Sequence, residues 1–235
     1  MPVEPSDPVV NSLIERLPRR ERRGLLTDST LMELTVGDIL CEPDQPYRHA
    51  YFPLTGIISL VATLRDEQPF NIGMIGNEGM LGATLVLGIG NAPLCGIVQG
   101  AGTSLRISAL NLRRRLRDRP GLARALNRYL YVSMAQLSRT AVCTRFHEVE
   151  ARLVRWLLMT HDRVQTDNFH ITHQSLADVL GVRRSAVTIA AGALQKKGLV
   201  RYARGNITVL SRRGLETASC ECYAAVVDDY CRLLP

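Results

Sequence analysis

Three textures of apolar and polar positions follow one another along the chain. Between about residues 9 and 26 apolar and charged positions mix at helical spacing, with Val9, Leu13 and Leu17 on one side. Pro18 breaks that run into short helices, because proline lacks an N–H and clashes with the preceding turn. From about 30 to 110 the runs are short, β-branched and aromatic: 50–52, 56–62 and 70–75, then 95–99 and 104–107. Gly, Pro, Asn and Asp punctuate them at intervals of roughly eight to twelve residues, the rhythm of a sandwich or β-roll. Most of the 18 glycines lie in this stretch, where tight turns need positive φ.

At Ser108 the period changes to helical. Ser108 suits the N-cap of a short helix over 109–117, and Pro120 suits the first turn of a longer one reaching Phe146. Along that longer helix Leu126, Leu130, Met134, Leu137 and Ala141 form one apolar stripe. Such a stripe needs a partner, either the chain's own β-domain or the same helix of a second subunit; so short a pattern leaves both open. A further helix over about 148–161 buries Val149, Leu153, Trp156 and Leu157, and a polar loop follows to residue 168.

The segment 171–200 carries the strongest local pattern. Thr172 is placed to cap a helix whose inner face is Leu176, Ala177 and Leu180, and Gly181 permits a left-handed turn after it. A second helix over about 184–197 buries Val187, Ala190, Ala191 and Leu194. Two short helices joined by such a turn make a helix-turn-helix, whose second helix fits the major groove of DNA. Arg183, Arg184, Ser185 and Thr188 occupy its exposed N-terminal positions, where base-edge contacts are made. Thr172, His173, Gln174 and Ser175 open the first helix, where N–H groups and side chains can hold phosphate. Two strands over 199–202 and 207–210, joined through Arg204-Gly205-Asn206, form a wing whose Arg204 and Asn206 reach backbone or minor groove.

Charge sharpens this picture. The chain carries a formal +7, and 183–213 holds eight basic residues and no acid. Such a stripe is either a solvated face or a polyanion footprint; with the helix-turn-helix and wing it reads as double-stranded DNA binding. The chain has no apolar run long enough for a membrane span, and its start lacks the pattern of a secretory signal, so a cytoplasmic protein is expected. Catalytic residues are not expected, because phosphate-cradling, nucleophile-elbow and metal-helix motifs are missing. Of the six cysteines, Cys220-x-Cys222 with Cys231 makes only three ligands where a structural zinc site wants four. The histidines form no i, i+4 pair among themselves. Inert reduced thiols and no metal site are the expectation.

With these motifs placed, the chain resembles the Crp/Fnr family of bacterial transcription regulators over nearly its whole length. The resemblance rests on Val36-Gly37-Asp38-Ile39-Leu40, Tyr51-Phe52-Pro53, Gly56–Leu60, Ile75–Gly82, Ile171–Val200, Arg204–Val209 and the ending Ser219–Tyr223. It implies an α+β chain: an N-terminal double-stranded β-helix (jelly-roll) sensor over 1–118, a dimerisation helix over 119–146, and a winged helix-turn-helix with a C-terminal helical extension over 147–235. It also implies a homodimer reading a pseudo-palindromic operator, with RNA polymerase a further partner if the protein activates. The stripe from Leu126 to Ala141 becomes the dimer interface. By the same resemblance an effector would sit near Gly79, Met80, Leu81, Gly82, Pro93 and Leu94. Cyclic-nucleotide-binding members hold the phosphate with an arginine, and Ala92-Pro93-Leu94 stands in that place; Met80 lies near the place of the ribose-binding glutamate. A buried phosphate without a paired charge is costly, so cyclic AMP is not the expected effector. The first forty residues hold no cysteine, so no iron–sulfur cluster is expected, and the cofactor stays unknown. Ser185 and Ile189 depart from the family's common glutamate and arginine. A β-roll signalling module acting on a protein partner is the alternative function.

Overall fold

A computed structural model describes residues 11–63 and 69–234; the expected inward position of Val9 lies outside them. Two compact units emerge, one built from the stretches up to residue 61, 73–135 and from 229 on, the other from 62–72 and 136–228. One of the crossings between them falls inside the long helix, at residues 135 and 136, and not at its ends.

The first unit opens with α1 (Ser12–Glu15) and α2 (Arg19–Thr27), separated at Pro18 as the sequence predicts. Asn11 caps α1 by accepting from Ile14 N, and its fully buried amide donates to Pro53 O and Gly79 O. Then come β1 (Ser29–Leu34), β2 (Ile39–Cys41), β3 (His49–Pro53), β4 (Ile57–Ala62) and β5 (Phe70–Ile75). A 3-10 turn over Ala83–Leu87 precedes β6 (Cys95–Gly100) and β7 (Gly102–Ser108). The strands form two sheets, in the orders β1-β7-β3 and β2-β6-β4-β5, and the neighbouring pairs β1–β7, β3–β7, β2–β6 and β4–β6 are antiparallel. Leu34, Phe52, Leu105 and Ile107 from the first sheet and Ile58, Ile75 and Val98 from the second share one buried core. That common core makes the unit a jelly-roll, with one face of each sheet turned inward.

Ser108 caps α3 (Ala109–Asp118) by accepting from Asn111 N, and α4 (Pro120–Phe146) follows. Leu122, Leu126, Tyr129 and Val132 of α4 are all buried in the jelly-roll core. A Cβ on Gly79 would lie 2.2 Å from the Tyr129 hydroxyl, so only glycine allows that ring to seat, with its O–H donating to Met80 O at 3.2 Å.

The second unit contains α5 (Val149–Val164), β8 (Asn168–His170), α6 (His173–Leu180), α7 (Arg184–Lys196), β9 (Val200–Ala203), β10 (Asn206–Val209), α8 (Arg212–Ala218) and the start of α9 (Glu221–Leu233). α5 packs on α6, α7 and α8. β8 falls at the end of the expected polar loop: it pairs with β10 through Phe169 opposite Ile207, giving a three-stranded sheet ordered β8-β10-β9. Three residues are too few to show alternation, so that strand is set by its partner.

Candidate nucleic-acid interface

The helix-turn-helix is assembled by its caps and its small residues. Thr172 Oγ1 accepts from Ser175 N at 3.0 Å, which starts α6. Gly181, at φ +61°, ends it, with Val182 N donating to Ala177 O and Gly181 N to Asp178 O. This is the Schellman arrangement, which needs a residue tolerant of the left-handed region. Ala177, Ala190 and Ala191 are buried, and their lack of bulk lets α6 and α7 cross closely. Arg183 precedes α7 in extended conformation, so the chain turns sharply into the second helix.

One face of α7 is left to solvent: Arg184, Ser185, Thr188 and Ile189 are exposed, continuing to Lys196. The positions i, i+1, i+4 and i+5 share one side of a helix. Ile189 is 74% exposed, an apolar side chain in the middle of a polar face. The sequence marks it only as a departure from the family; its spacing from Arg184 and Ser185 is the signal that places it on this face.

The wing is a two-residue hairpin. Arg204 at φ +51° and Gly205 at φ +79° form its turn between Ala203 and Asn206, the primed geometry that matches strand twist. Arg204 and Asn206 are exposed at this tip. A Cβ on Gly205 would come 2.7 Å from the His170 ring, and His170 Nδ1 lies 3.2 Å from Asn206 Oδ1.

His173 has a different place from the one its position suggests. Its ring stacks on Tyr202 with centroids 4.3 Å apart, and Nδ1 lies 3.1 Å from Thr188 Oγ1. Thr188 donates to Arg184 O, so its oxygen accepts from His173 Nδ1–H. Nε2 is then the bare nitrogen, buried with no hydrogen-bond partner among the described residues. Burial, with the charge of Arg184 adding to it, holds this imidazole below its ordinary pKa. His173 therefore locks the wing strand to both helices instead of offering itself to phosphate. Gln174 bonds Asp178, while Thr172 and Ser175 keep the first turn of α6 in order.

The basic stripe is also smaller than its sequence count. Lys197 pairs with Glu150 at 2.5 Å. Arg212 pairs with Asp162 at 2.7 Å and Glu216 at 3.0 Å, and donates to Tyr223 and to His161 Nδ1. His161 must then carry its proton on Nε2, 2.7 Å from Asp167. Removing these two cations leaves Arg183, Arg184, Lys196, Arg201, Arg204 and Arg213.

The expected dimer stripe and effector pocket divide as well. Leu126 is fully buried in the jelly-roll core; its neighbours one turn away, Tyr129 and Leu122, draw it inward. Met134 is 60% exposed and Ala141 is exposed, with Leu130 and Leu137 half-buried. Tyr131 and Val142 are exposed apolar neighbours on the adjoining side. Met80 and Leu81 are 1% exposed and pack in the core, Gly79 and Gly82 are buried, Leu94 is half-buried and Pro93 exposed. This segment is therefore given to packing. The cysteines differ from expectation too: Cys143, His147, Cys220 and Cys222 gather in the second unit, while Cys231 is exposed and outside the group. Hydrogen bonding with Cys220, against the opposing effect of burial, lowers the Cys143 thiol to about 7, with Arg155 adding its charge.

Residues 151–218 match the model of the Crp-like helix-turn-helix domain. No curated protein matches the chain. Among solved structures, a transcriptional regulator of the Crp/Fnr family from Eubacterium rectale superposes with a TM-score of 0.66 at 18% identity, over 88% of this chain and 96% of that one. The c-di-GMP-responsive global regulator CLP of Xanthomonas campestris gives 0.64 at 19%, over 83% and 100%. FixK2 of Bradyrhizobium japonicum gives 0.62 at 15%, over 82% and 98%. Residues 151–218, with the exposed face of α7 and the wing, thus form a Crp-like helix-turn-helix domain, and the chain shares the fold of these Crp/Fnr-type regulators.

Proposed function

We propose that the protein binds a pseudo-palindromic operator as a homodimer and acts by occupancy of DNA, without catalysis. The observation that carries this reading is the solvent-facing side of α7, where Arg184, Ser185, Thr188 and Ile189 stand together among basic residues and without an acid. Arg184 suits guanine O6 and N7, Ser185 is an adaptable donor and acceptor, and Ile189 suits a thymine methyl. Thr188 offers its methyl and one remaining lone pair, because its hydroxyl already donates to Arg184 O and accepts from His173. Arg183, with Thr172, Gln174 and Ser175 at the start of α6, would fix the register on phosphates. Arg204 and Asn206 would touch the flanking backbone or minor groove.

The dimer is supported by α4. After Leu126 turns inward, Leu130, Met134, Leu137 and Ala141 still form a stripe with period near 3.5, extended by Tyr131 and Val142. A second copy of this helix is the partner whose apolar face repeats that spacing. Two recognition helices then read half-sites about one helical turn apart.

The effector is a ligand other than cyclic AMP. Where an arginine and a glutamate would be needed, the chain has Ala92-Pro93-Leu94 and a core-packed Met80. RNA polymerase is the further partner if occupancy activates. Among the described residues no helix is long and apolar enough to cross a membrane, and the site of action is wherever the chromosome lies. Titrating a labelled random duplex pool with the purified protein at several salt concentrations tests the reading. A steep salt dependence with enrichment of a two-fold symmetric sequence supports it; affinity for no duplex at any salt would refute it.

A further inference from the structure

The end of α4 and the start of α9 both carry soft ligands, and the second unit brings them together. Cys143 lies in the last turn of α4 and His147 just after it, four residues on and still joined by a helical bond from His147 N to Cys143 O, so both side chains leave the same side. Cys220 immediately precedes α9 and Cys222 lies in its first turn. The three sulfurs and one ring nitrogen all lie within 4.8 Å of one another. Cys143 Sγ is 3.7 Å from Cys220 Sγ, and Cys222 Sγ is 3.7 Å from His147 Nδ1. A disulfide would bring two sulfurs to about 2.05 Å. Tetrahedral zinc with bonds of about 2.3 Å to sulfur sets its ligands about 3.8 Å apart, close to the separation of these two pairs.

We propose that Cys143, His147, Cys220 and Cys222 form a mononuclear Cys3His zinc site. Three features beyond proximity support it. Glu221 Oε2 lies 3.3 Å from His147 Nε2, a carboxylate placed to favour the proton on Nε2 while Nδ1 faces Cys222. A carboxylate on the far nitrogen is the usual support of a metal-bound imidazole.

Arg155 supplies the second. It is 6% exposed, its Nη2 donates to Thr140 Oγ1, its guanidinium also hydrogen-bonds the Cys143 thiol, and its Nε has no partner among the described residues. No carboxylate pairs with it among the described residues, so a cation is buried without a counter-charge, a costly arrangement. The charge of Arg155 acts on both Cys143 and Cys222. Zinc(II) with three thiolates and a neutral imidazole carries one net negative charge, which answers it. Binding would release the three thiol protons to solvent.

The third is the choice of metal itself. Three thiolates select a soft or borderline ion over magnesium or calcium. An iron–sulfur cluster places its ligands on separate irons, which this tight group does not suit. Four protein ligands close the coordination shell, so the role is structural. The metal would staple the end of α4 to the start of α9, beside α5, whose Ala151 packs on the same cysteines.

The test is metal content of the full-length chain purified from zinc-replete cells without chelator. One zinc per chain is expected, and cobalt(II) substitution should give thiolate-to-cobalt charge transfer with intense tetrahedral d–d bands. Cys222→Ser and His147→Ala should each lower the zinc content to below about a tenth at matched free zinc, while Cys231→Ser should keep it. Because a ligand variant could also unfold the unit, the folded wild type is read as well: a mercurial that titrates its thiols should release zinc in step with modification. Zinc-free wild type would overturn the proposal, as would undiminished zinc in both ligand variants. Recovery of Cys143 and Cys220 as a disulfide after rapid alkylation of cells would overturn it too.

Discussion

Replacing His173 by alanine separates a packing role from a DNA-contacting one. The substitution removes a stacked ring pair with Tyr202, 4.3 Å between centroids, worth about 0.5–1.5 kcal/mol. It also removes the hydrogen bond to Thr188, 3.1 Å long, worth about 1 kcal/mol net. A small gain offsets this, since the bare Nε2 no longer has to be buried. The net expectation is a loss of roughly 2 kcal/mol. The chain has a single tryptophan, Trp156, which is buried in the same unit, so urea unfolding followed by its fluorescence reports the right region. Affinity for the operator, measured where the variant is folded, should keep its salt slope. A phosphate contact would contribute about 0.9 to that slope. Unchanged stability together with a slope smaller by about one would refute this placement of His173. The pH dependence has a definite sign as well. The folded pKa lies below the ordinary value of 6.5, so the unfolded chain binds the extra proton. This contribution is complete above pH 6.5 and is lost as pH falls through the folded value; in His173→Ala that part of the acid sensitivity should disappear.

Other expected outcomes test separate parts of the fold. Met134→Asp should shift the chain toward monomer in analytical ultracentrifugation and weaken operator binding by tenfold or more, while leaving circular dichroism intact, because it places a charge on the proposed α4 seam. Asp28→Asn should cost about 1–2 kcal/mol, since Asp28 is largely buried and 2.7 Å from Arg115 Nε. Arg115 holds that carboxyl below its ordinary value of 3.8, so this contribution is present above that value and lost as pH falls through the folded pKa; the two proteins should converge in acid-unfolding curves. Gly205→Val should destabilise the wing by about 2 kcal/mol or more, because φ is +79° and a Cβ would meet the His170 ring. Hydrogen exchange of Ile207 and Tyr202 amides would read that loss locally.

The helix-turn-helix was legible because its determinants are local. Thr172 as a cap, Gly181 in the left-handed region and the apolar period of α7 each act within a turn or two of chain. The strands over 50–52, 56–62 and 95–99 were legible for the same reason, as was α4 from Pro120 to Phe146. What pattern could not resolve is which partner each face meets. Leu126 and Leu130 lie on one periodic stripe, yet Tyr129 and Leu122 pull the first into the jelly-roll core and leave the second half-exposed. His173 looks like any polar residue opening a helix until Tyr202, from a distant strand, covers its ring. Arg212 counts as a free charge in sequence, but Asp162 and Glu216 claim it. The Cys143/His147 pair carried a faint signal, two ligand types one helical turn apart, yet only the fold sets it against Cys220 and Cys222.

The most direct measurement is selection of bound sequences by the wild type and by Arg184→Ala from one random duplex pool. The wild type should yield a symmetric motif with half-sites about 10 base pairs apart. In the variant, preference should collapse at one base pair per half-site, by about 1–3 kcal/mol, with the rest of the motif kept. A wild-type pool without two-fold symmetry, or an identical motif from the variant, would contradict it.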